Sequence, residues 1–281
     1  MQTLATEMYT DLIGTALKEE TCPAELEATV ANRIRSMVLE LGNKTLEAFE
    51  QSVMALRRRD ASKGARVVVG DDEIDALELR IQREGASCLI SDMPTIEERL
   101  FLLAALHISH SLERVADHAV DIAMLACELN LFPPFVPPEA CWEMSRITHR
   151  LLAASIASFL EGNVRLSYRT CAEDEQVDTY HTHLSATLLS LVNENPRYAT
   201  QAIYHLLALA HFERVADLAT DVCERVIHWR TGYLDKLNVS RDYPRDNHQT
   251  GHPFDVSSGR SKPHTMTATR REVVDLEGFS G

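Results

Sequence analysis

The pentapeptide Glu113-Arg114-Val115-Ala116-Asp117 returns one hundred positions later as Glu213-Arg214-Val215-Ala216-Asp217, and Asp121 returns as Asp221. A direct repeat of this kind implies a duplicated supersecondary unit, and it restricts the fold to architectures built twice. Further acids fix how each unit turns. Asp71 and Asp117 are equidistant from Pro94, and so are Asp75 and Glu113. Asp174 and Asp217, and likewise Asp178 and Glu213, are equidistant from the Asn195-Pro196 bond. If each pair of segments is an antiparallel helical hairpin turning at its proline, residues equally far from the turn lie level. Each hairpin then gathers four acids at one height, and the arrangement occurs twice.

The apolar pattern supports helices. From Ala24 to Arg58, Leu26, Val30, Ile34, Met37, Val38, Leu41, Leu46, Phe49, Val53 and Leu56 recur at spacings of three and four. Ala65 to Ile90 is the next predicted helix. Ser91 to Thr95 separates it from a third at about Ile96–Leu129, where Thr95 and Glu98 resemble a capping box. Pro133-Pro134-Phe135-Val136-Pro137-Pro138 cannot be helical and reads as a stiff linker. The three-helix pattern then restarts, with helices predicted over Glu139–Leu160, Val164–Val192 and Pro196–Leu234. The expected fold is all-α, with six long helices as two tandem, repeat-related three-helix bundles. Residues 24–130 form the first repeat, 131–138 the linker and 139–234 the second repeat. Residues 1–23 are an N-terminal extension with a short amphipathic helix at Met1–Glu20. Residues 235–281 are rich in Ser, Thr, Asn, Asp, Gly, His and Pro, lack apolar periodicity and read as a disordered tail.

Composition narrows the function. The formal charge is −14, and acids and bases balance from Asp235 onward, so the excess lies in the first 234 residues. Such a surface disfavours nucleic acid and anionic membranes. The six cysteines have no C-x-x-C spacing, and no apolar run reaches the length of a signal peptide or a membrane span. A cytoplasmic protein without direct membrane insertion is expected. No nucleophile elbow, Walker loop or dinucleotide-binding glycine motif is present.

The acids carry the chemistry. Glu113, Asp117 and Asp121 advance about 40° per step on a helix, so the three share one narrow face. Asp71 and Asp75 oppose them, with Glu78 on the same stripe. The second repeat sets Glu213, Asp217 and Asp221 opposite Asp174 and Asp178. Carboxylates at close quarters repel one another and invite a cation. Oxygen ligands suit Mg²⁺, Ca²⁺ and Mn²⁺, and bridging carboxylates suit iron. The expected metal-binding residues are therefore Asp71, Asp75, Glu113, Asp117, Asp121, Asp174, Asp178, Glu213, Asp217 and Asp221, for Fe, Mn, Mg, Zn or Ca. The opposing reading is a solvated acidic face. Histidines 107, 110, 118, 181, 205 and 211 do not occupy equivalent positions in the two repeats, and read as structural or peripheral.

The Asp71-Asp-Glu-Ile-Asp75 segment, the stretch Glu113–His118, Glu213–Asp221 and the closing Val226–Gly232 together resemble the PhoU family of phosphate-transport regulators, over about residues 24–234. The resemblance implies a six-helix fold of two related bundles, with multinuclear metal clusters held by these acids in some members. It also implies a non-enzymatic regulatory adaptor of bacterial phosphate homeostasis. The implied partners are a sensor histidine kinase of the phosphate two-component system and the ATPase subunit of the phosphate importer, with a homodimer as a further possibility. Asp121 and Asp221 stand where the family more often has Asn. Two alternatives come from the residues: a carboxylate-bridged metalloenzyme of ferritin-like type, disfavoured by the lack of Glu-x-x-His at the level of the acids, and a purely structural helical protein.

Overall fold

The computed structural model describes residues 30–90 and 95–233. They form α1 (Val30–Arg58), α2 (Ala61–Ile90), α3 (Ile96–Leu129), α4 (Ala140–Glu161), α5 (Val164–Glu173), α6 (Glu175–Glu194), a short 3-10 turn (Pro196–Tyr198) and α7 (Ala199–Thr231). No strand occurs among the described residues. The expected helix at Met1–Glu20, the turn at Ser91–Pro94 and the tail 235–281 lie outside them.

Local chemistry explains where the helices differ from the expected bounds. α2 starts before Ala65 because the Asp60 carboxylate accepts a hydrogen bond from the Lys63 backbone N–H at 2.9 Å, an N-cap. The expected helix Val164–Val192 is broken at Asp174. That residue keeps helical angles (φ −61°, ψ −34°), and its N–H bonds to Cys171 O, so the break is one tightened turn. Thr95 caps α3 as expected, accepting from the Glu98 N–H at 3.2 Å and donating to the Glu98 carboxylate. Gly162 (φ 61°) and Gly232 (φ 76°) end α4 and α7 in the left-handed conformation that glycine adopts without a Cβ penalty.

Duplication is visible in individual bonds. Thr45 Oγ1 donates to Leu112 O at 3.3 Å, and Thr148 Oγ1 donates to Phe212 O at 3.4 Å. Ser52 Oγ donates to Phe49 O, and Ser155 Oγ donates to Leu152 O, both at 2.8 Å. Asn163 caps α5 as Asp60 caps α2. In the first two helices of each repeat the offset is 103 (148 − 45, 155 − 52, 163 − 60), whereas in the third it is 100 (212 − 112). Three residues are therefore missing from the second hairpin turn. The predicted level matching holds too: Gln82 Nε2 donates to Leu106 O at 2.9 Å, and both residues are twelve from Pro94 (94 − 82 and 106 − 94).

One continuous apolar core serves both repeats. α3 packs on α1 and α2 and also on α7, while α7 packs on α4, α5 and α6. Aromatic rings bridge the repeats: Phe49 of α1 stands edge-on to Phe212 of α7 (centroids 5.9 Å apart) and stacks on His149 of α4. Phe101 of α3 stacks on Phe159 of α4 and meets Trp229 of α7 edge-on. The Pro-rich linker is non-helical and is held at several points. Gln201 Nε2 donates to Pro133 O at 3.2 Å, and Phe135 packs on Tyr198 and His205. Arg59, itself left-handed at φ 54°, donates to the Leu129 and Phe132 carbonyls. No helix among the described residues is long and apolar enough to cross a membrane.

Because the core is shared, the repeats unfold together. Phe49→Ala removes a fully buried ring at a cost of about 3–5 kcal/mol, which lowers the melting temperature by roughly 10 °C. Calorimetry then shows one transition in both proteins. Two separable transitions would contradict a shared core.

Candidate functional site

The repeated pentapeptide ties packing to chemistry. Val115, Ala116, Val215 and Ala216 are essentially fully buried. Burying that side of α3 and α7 leaves Glu113 and Asp117, and likewise Glu213 and Asp217, at the rim of the core. On α2 and α6 the apolar residues Ile74, Leu77, Val177 and Leu184 face inward, which sets Asp71, Asp75 and Asp178 beside them on the rim.

The first hairpin brings Asp71, Asp75, Glu113 and Asp117 within mutual electrostatic reach. Burial, then the charges of Asp75 and Asp117, push the Asp71 carboxyl up to about 6. Glu113 is raised by burial and by Asp117, Asp75 and Glu78, and Asp117 is raised by burial, Asp75 and Asp121. The second hairpin repeats the arrangement with Asp174, Asp178, Glu213 and Asp217. Asp174, at the tightened turn, is almost wholly buried, and burial with the charges of Asp178, Asp217 and Glu213 pushes it up to about 7 against a hydrogen bond from Thr220. Asp178 is raised by burial despite His181. All four acids expected at each level are thus gathered. Asp121 and Asp221 lie one turn further along, and Asp221 is exposed.

Oxygen-only donors suit a hard or bridging cation, although among the described residues no three of these carboxylates bring oxygens within 4.8 Å of one another, so binding would draw the side chains together. Asp71 Oδ1 is buried without a hydrogen-bond partner, a state that normally calls for a neutralising group. Arg114 and His110 partly offset the charge at Asp117, whereas Lys44 is paired with exposed Glu73 at 2.7 Å. A cleft of about 430 Å³ between α1 and α2 is lined by Lys44, Lys63 and Arg66 as well as Glu47 and Glu73. It lies off the acidic face, and its bases are engaged: Lys63 Nζ donates to Gln51 at 2.6 Å.

Histidines set aside on sequence grounds border these faces. His110 Nδ1 lies 3.4 Å from Glu113 of the same helix, and His181 of α6 lies 3.3 Å from Glu213 of α7. A third group joins the repeats. His118 and Asp121 of α3 meet His211 of α7, with Nδ1 to Nδ1 at 3.3 Å and each Nδ1 3.7–3.8 Å from Asp121 Oδ2. Burial, and for His118 the neighbouring His211, keeps both rings neutral; His118 is pushed down to about 4. The His118-x-x-Asp121 half is visible in the sequence as residues one helical turn apart. His211 is not, because it comes from the other repeat. His149 and His205 are structural, stacked against Phe49 and held by Gln201 O respectively. Cys141 and Cys223 are buried, and burial pushes the Cys141 thiol up to about 12, so it behaves as the small apolar group expected.

The PhoU domain model matches residues 38–126 and again 142–226, one match for each repeat. Among curated proteins, the chain is similar to the phosphate-specific transport system accessory protein PhoU homolog of Clostridium acetobutylicum. That relative is 26% identical over 206 residues, covering 73% of this chain and 94% of the relative. It is likewise similar to PhoU homolog 2 of Thermotoga maritima, 28% identical, covering 71% and 87% respectively. Among solved structures, PhoU from Pseudomonas aeruginosa superimposes with a TM-score of 0.70 at 22% identity, covering 73% of this chain and 98% of that one. The regulatory protein PhoU from Streptococcus pneumoniae gives 0.64 at 24% identity, covering 73% and 97%. At these identities the structures bear on the fold alone.

The raised carboxyls give a pH signature with a definite sign. Asp71, at about 6, binds its proton more tightly in the metal-free native state than in the unfolded chain. Its contribution to stability is therefore complete below the ordinary carboxylate range and is lost as pH rises through about 6. In chelator-treated protein, Asp71→Asn raises the melting temperature by a few degrees at about pH 8, and the difference shrinks as pH falls through about 6 and closes only below about pH 4. Thermal melts at the two pH values check this. A variant less stable than its parent at the higher pH would contradict it.

Proposed function

The chain belongs to the PhoU family, and from that premise we propose that it is a regulatory adaptor of phosphate homeostasis that restrains phosphate uptake and phosphate-regulon signalling through protein–protein contacts. Its metal ligands on this reading are Asp71, Asp75, Glu113 and Asp117 in the first repeat and Asp174, Asp178, Glu213 and Asp217 in the second, with Asp121 and Asp221 flanking them. Similarity to accessory proteins of the phosphate-specific transport system supports the regulatory half. The single observation that carries the metal half is the twofold gathering of four carboxylates at one level, with one buried oxygen of Asp71 left without a donor. Bound cations would supply the missing counter-charge and tie the helices of each hairpin together. The protein acts without catalysis of its own, in the cytoplasm. Its partners are the sensor histidine kinase of the phosphate two-component system and the ATPase subunit of the importer, and it is able to pair with a second copy of itself. Its working units are the repeats 24–130 and 139–234 about the linker 131–138, with 1–23 and 235–281 as flanking segments.

Affinity capture on the tagged full chain from phosphate-replete cells, with elemental analysis of the same preparation, tests both halves. Recovery of the kinase and the ATPase subunit is expected; recovery of neither would contradict the adaptor role. Asp117→Asn lowers the metal bound by the first face and spares the second, and Asp217→Asn does the reverse. With metal present each variant melts lower than its parent, because ligands bound to the native state stabilise it. With chelator each is neutral or slightly more stable. Equal destabilisation in both conditions would identify the acids as structural and not as metal ligands.

A further inference from the structure

We propose that His118, Asp121 and His211 form a mixed nitrogen–oxygen site for a single borderline transition ion, Zn²⁺ or a similar divalent metal, at the seam between the two repeats. This site shares only Asp121 with the flank of the first carboxylate face and differs from that face in ligand chemistry. The geometry carries it. Nδ1 of His118 and Nδ1 of His211 are 3.3 Å apart, and Asp121 Oδ2 is 3.8 Å from the first and 3.7 Å from the second. An ion about 2.0–2.1 Å from each donor, in tetrahedral coordination, requires its ligand atoms to be roughly 3.4 Å from one another. The three atoms already form nearly that triangle, and the fourth vertex is open to water or to an incoming ligand.

The rings are not simply stacked. Their centroids are 5.3 Å apart with the planes tilted by 52°, and the Nδ1 edges of the two rings face one another at 3.3 Å. Only one proton fits between two such nitrogens, so at least one Nδ1 carries a lone pair, and the other is freed when its ring takes the tautomer with the proton on Nε2. The histidine side chains are 12% and 15% exposed, whereas Asp121 is 43% exposed. The site is therefore walled by helix on the imidazole side and reached from solvent on the carboxylate side. Two imidazoles and one carboxylate select zinc, cobalt or nickel over magnesium or calcium, which prefer all-oxygen shells. Arg114 and Arg214 border the seam, so net negative charge alone would not hold a hard cation there.

Among the described residues the site occurs once. With the third-helix offset of 100, His118 corresponds to Leu218, His211 to Ser111 and Asp121 to Asp221. The repeat-related position thus lacks both nitrogen donors. A metal bound at the seam adds a clamp to the apolar packing that already joins α3 to α7.

The same correspondence supplies mild test variants, since Leu and Ser already occupy the related places in this fold. Cobalt(II) is titrated into metal-free full-length protein, into His118→Leu and into His211→Ser, with helicity checked by circular dichroism. Four-coordinate cobalt with nitrogen ligands gives strong visible bands, whereas six-coordinate carboxylate sites absorb weakly. The expected result is one equivalent of the strong signal in the parent, displaced by Zn²⁺ and not by excess Mg²⁺. Both histidine variants lose it, and Asp71→Asn and Asp174→Asn keep it. Absence of the strong bands in the parent, or their survival in either folded histidine variant, would overturn the proposal. Weak six-coordinate binding that persists in the histidine variants would leave the carboxylate faces standing.

Discussion

Close packing of α3 against α7 is the constraint on which the rest of the molecule depends. Their buried residues include a run of small side chains, Ala104, Ala105, Ala116, Ala119, Ala123 and Ala126 on one helix and Ala202, Ala208, Ala216 and Ala219 on the other. Small residues let helix axes approach closely, and the larger rings of Phe49, Phe101, Phe212 and Trp229 then fill the space around the contact. Once the valine and alanine of each pentapeptide are buried in the core around that contact, the glutamate and aspartate flanking them cannot be buried with them. They are held at the rim, where α2 and α6 present their own acids. The packing requirement and the acidic face are two sides of the same five residues.

That placement works against stability in the metal-free state. Carboxylates that are partly desolvated and close to one another raise each other's affinity for protons, as Asp71 and Asp174 show. A protein gains nothing in folding from such an arrangement, and its occurrence twice, on hairpins of different turn length, argues for a use. On the proposed reading the use is a pair of cations that stiffen each hairpin and present a defined surface to partners. The histidine–aspartate group at the seam adds a different ligand chemistry between the same two helices.

Much of this was legible in the residues. Direct repetition of Glu-Arg-Val-Ala-Asp indicated a duplicated three-helix unit, and equal distances from Pro94 and from the Asn195-Pro196 bond placed the acids level. Gln82 against Leu106 and Asp71 near Asp117 bear that out. Less legible were features set by tertiary contact. The turn at Asp174 tightens where a buried carboxylate must be accommodated, and no proline or glycine marks it. The offset of 103 in the first two helices of each repeat is carried by Thr45/Thr148 and Ser52/Ser155, buried polar residues whose role appears only once their acceptors are known. His118 and His211 read as peripheral in the sequence because the histidines do not occupy equivalent positions in the two repeats. Symmetry is a sound guide to a duplicated site and a poor one to a site on the seam, which draws two groups from one repeat and one from the other.

The central claim, that level-matched carboxylates hold cations on both hairpins, is tested most directly by anomalous diffraction from crystals of the full chain grown with Mn²⁺. The account predicts anomalous peaks between Asp71, Asp75, Glu113 and Asp117 and between Asp174, Asp178, Glu213 and Asp217, each within roughly 2–2.5 Å of carboxylate oxygens from both helices of its hairpin. Well-ordered acidic faces without such peaks, with the carboxylates turned to solvent or paired with basic side chains, would contradict it.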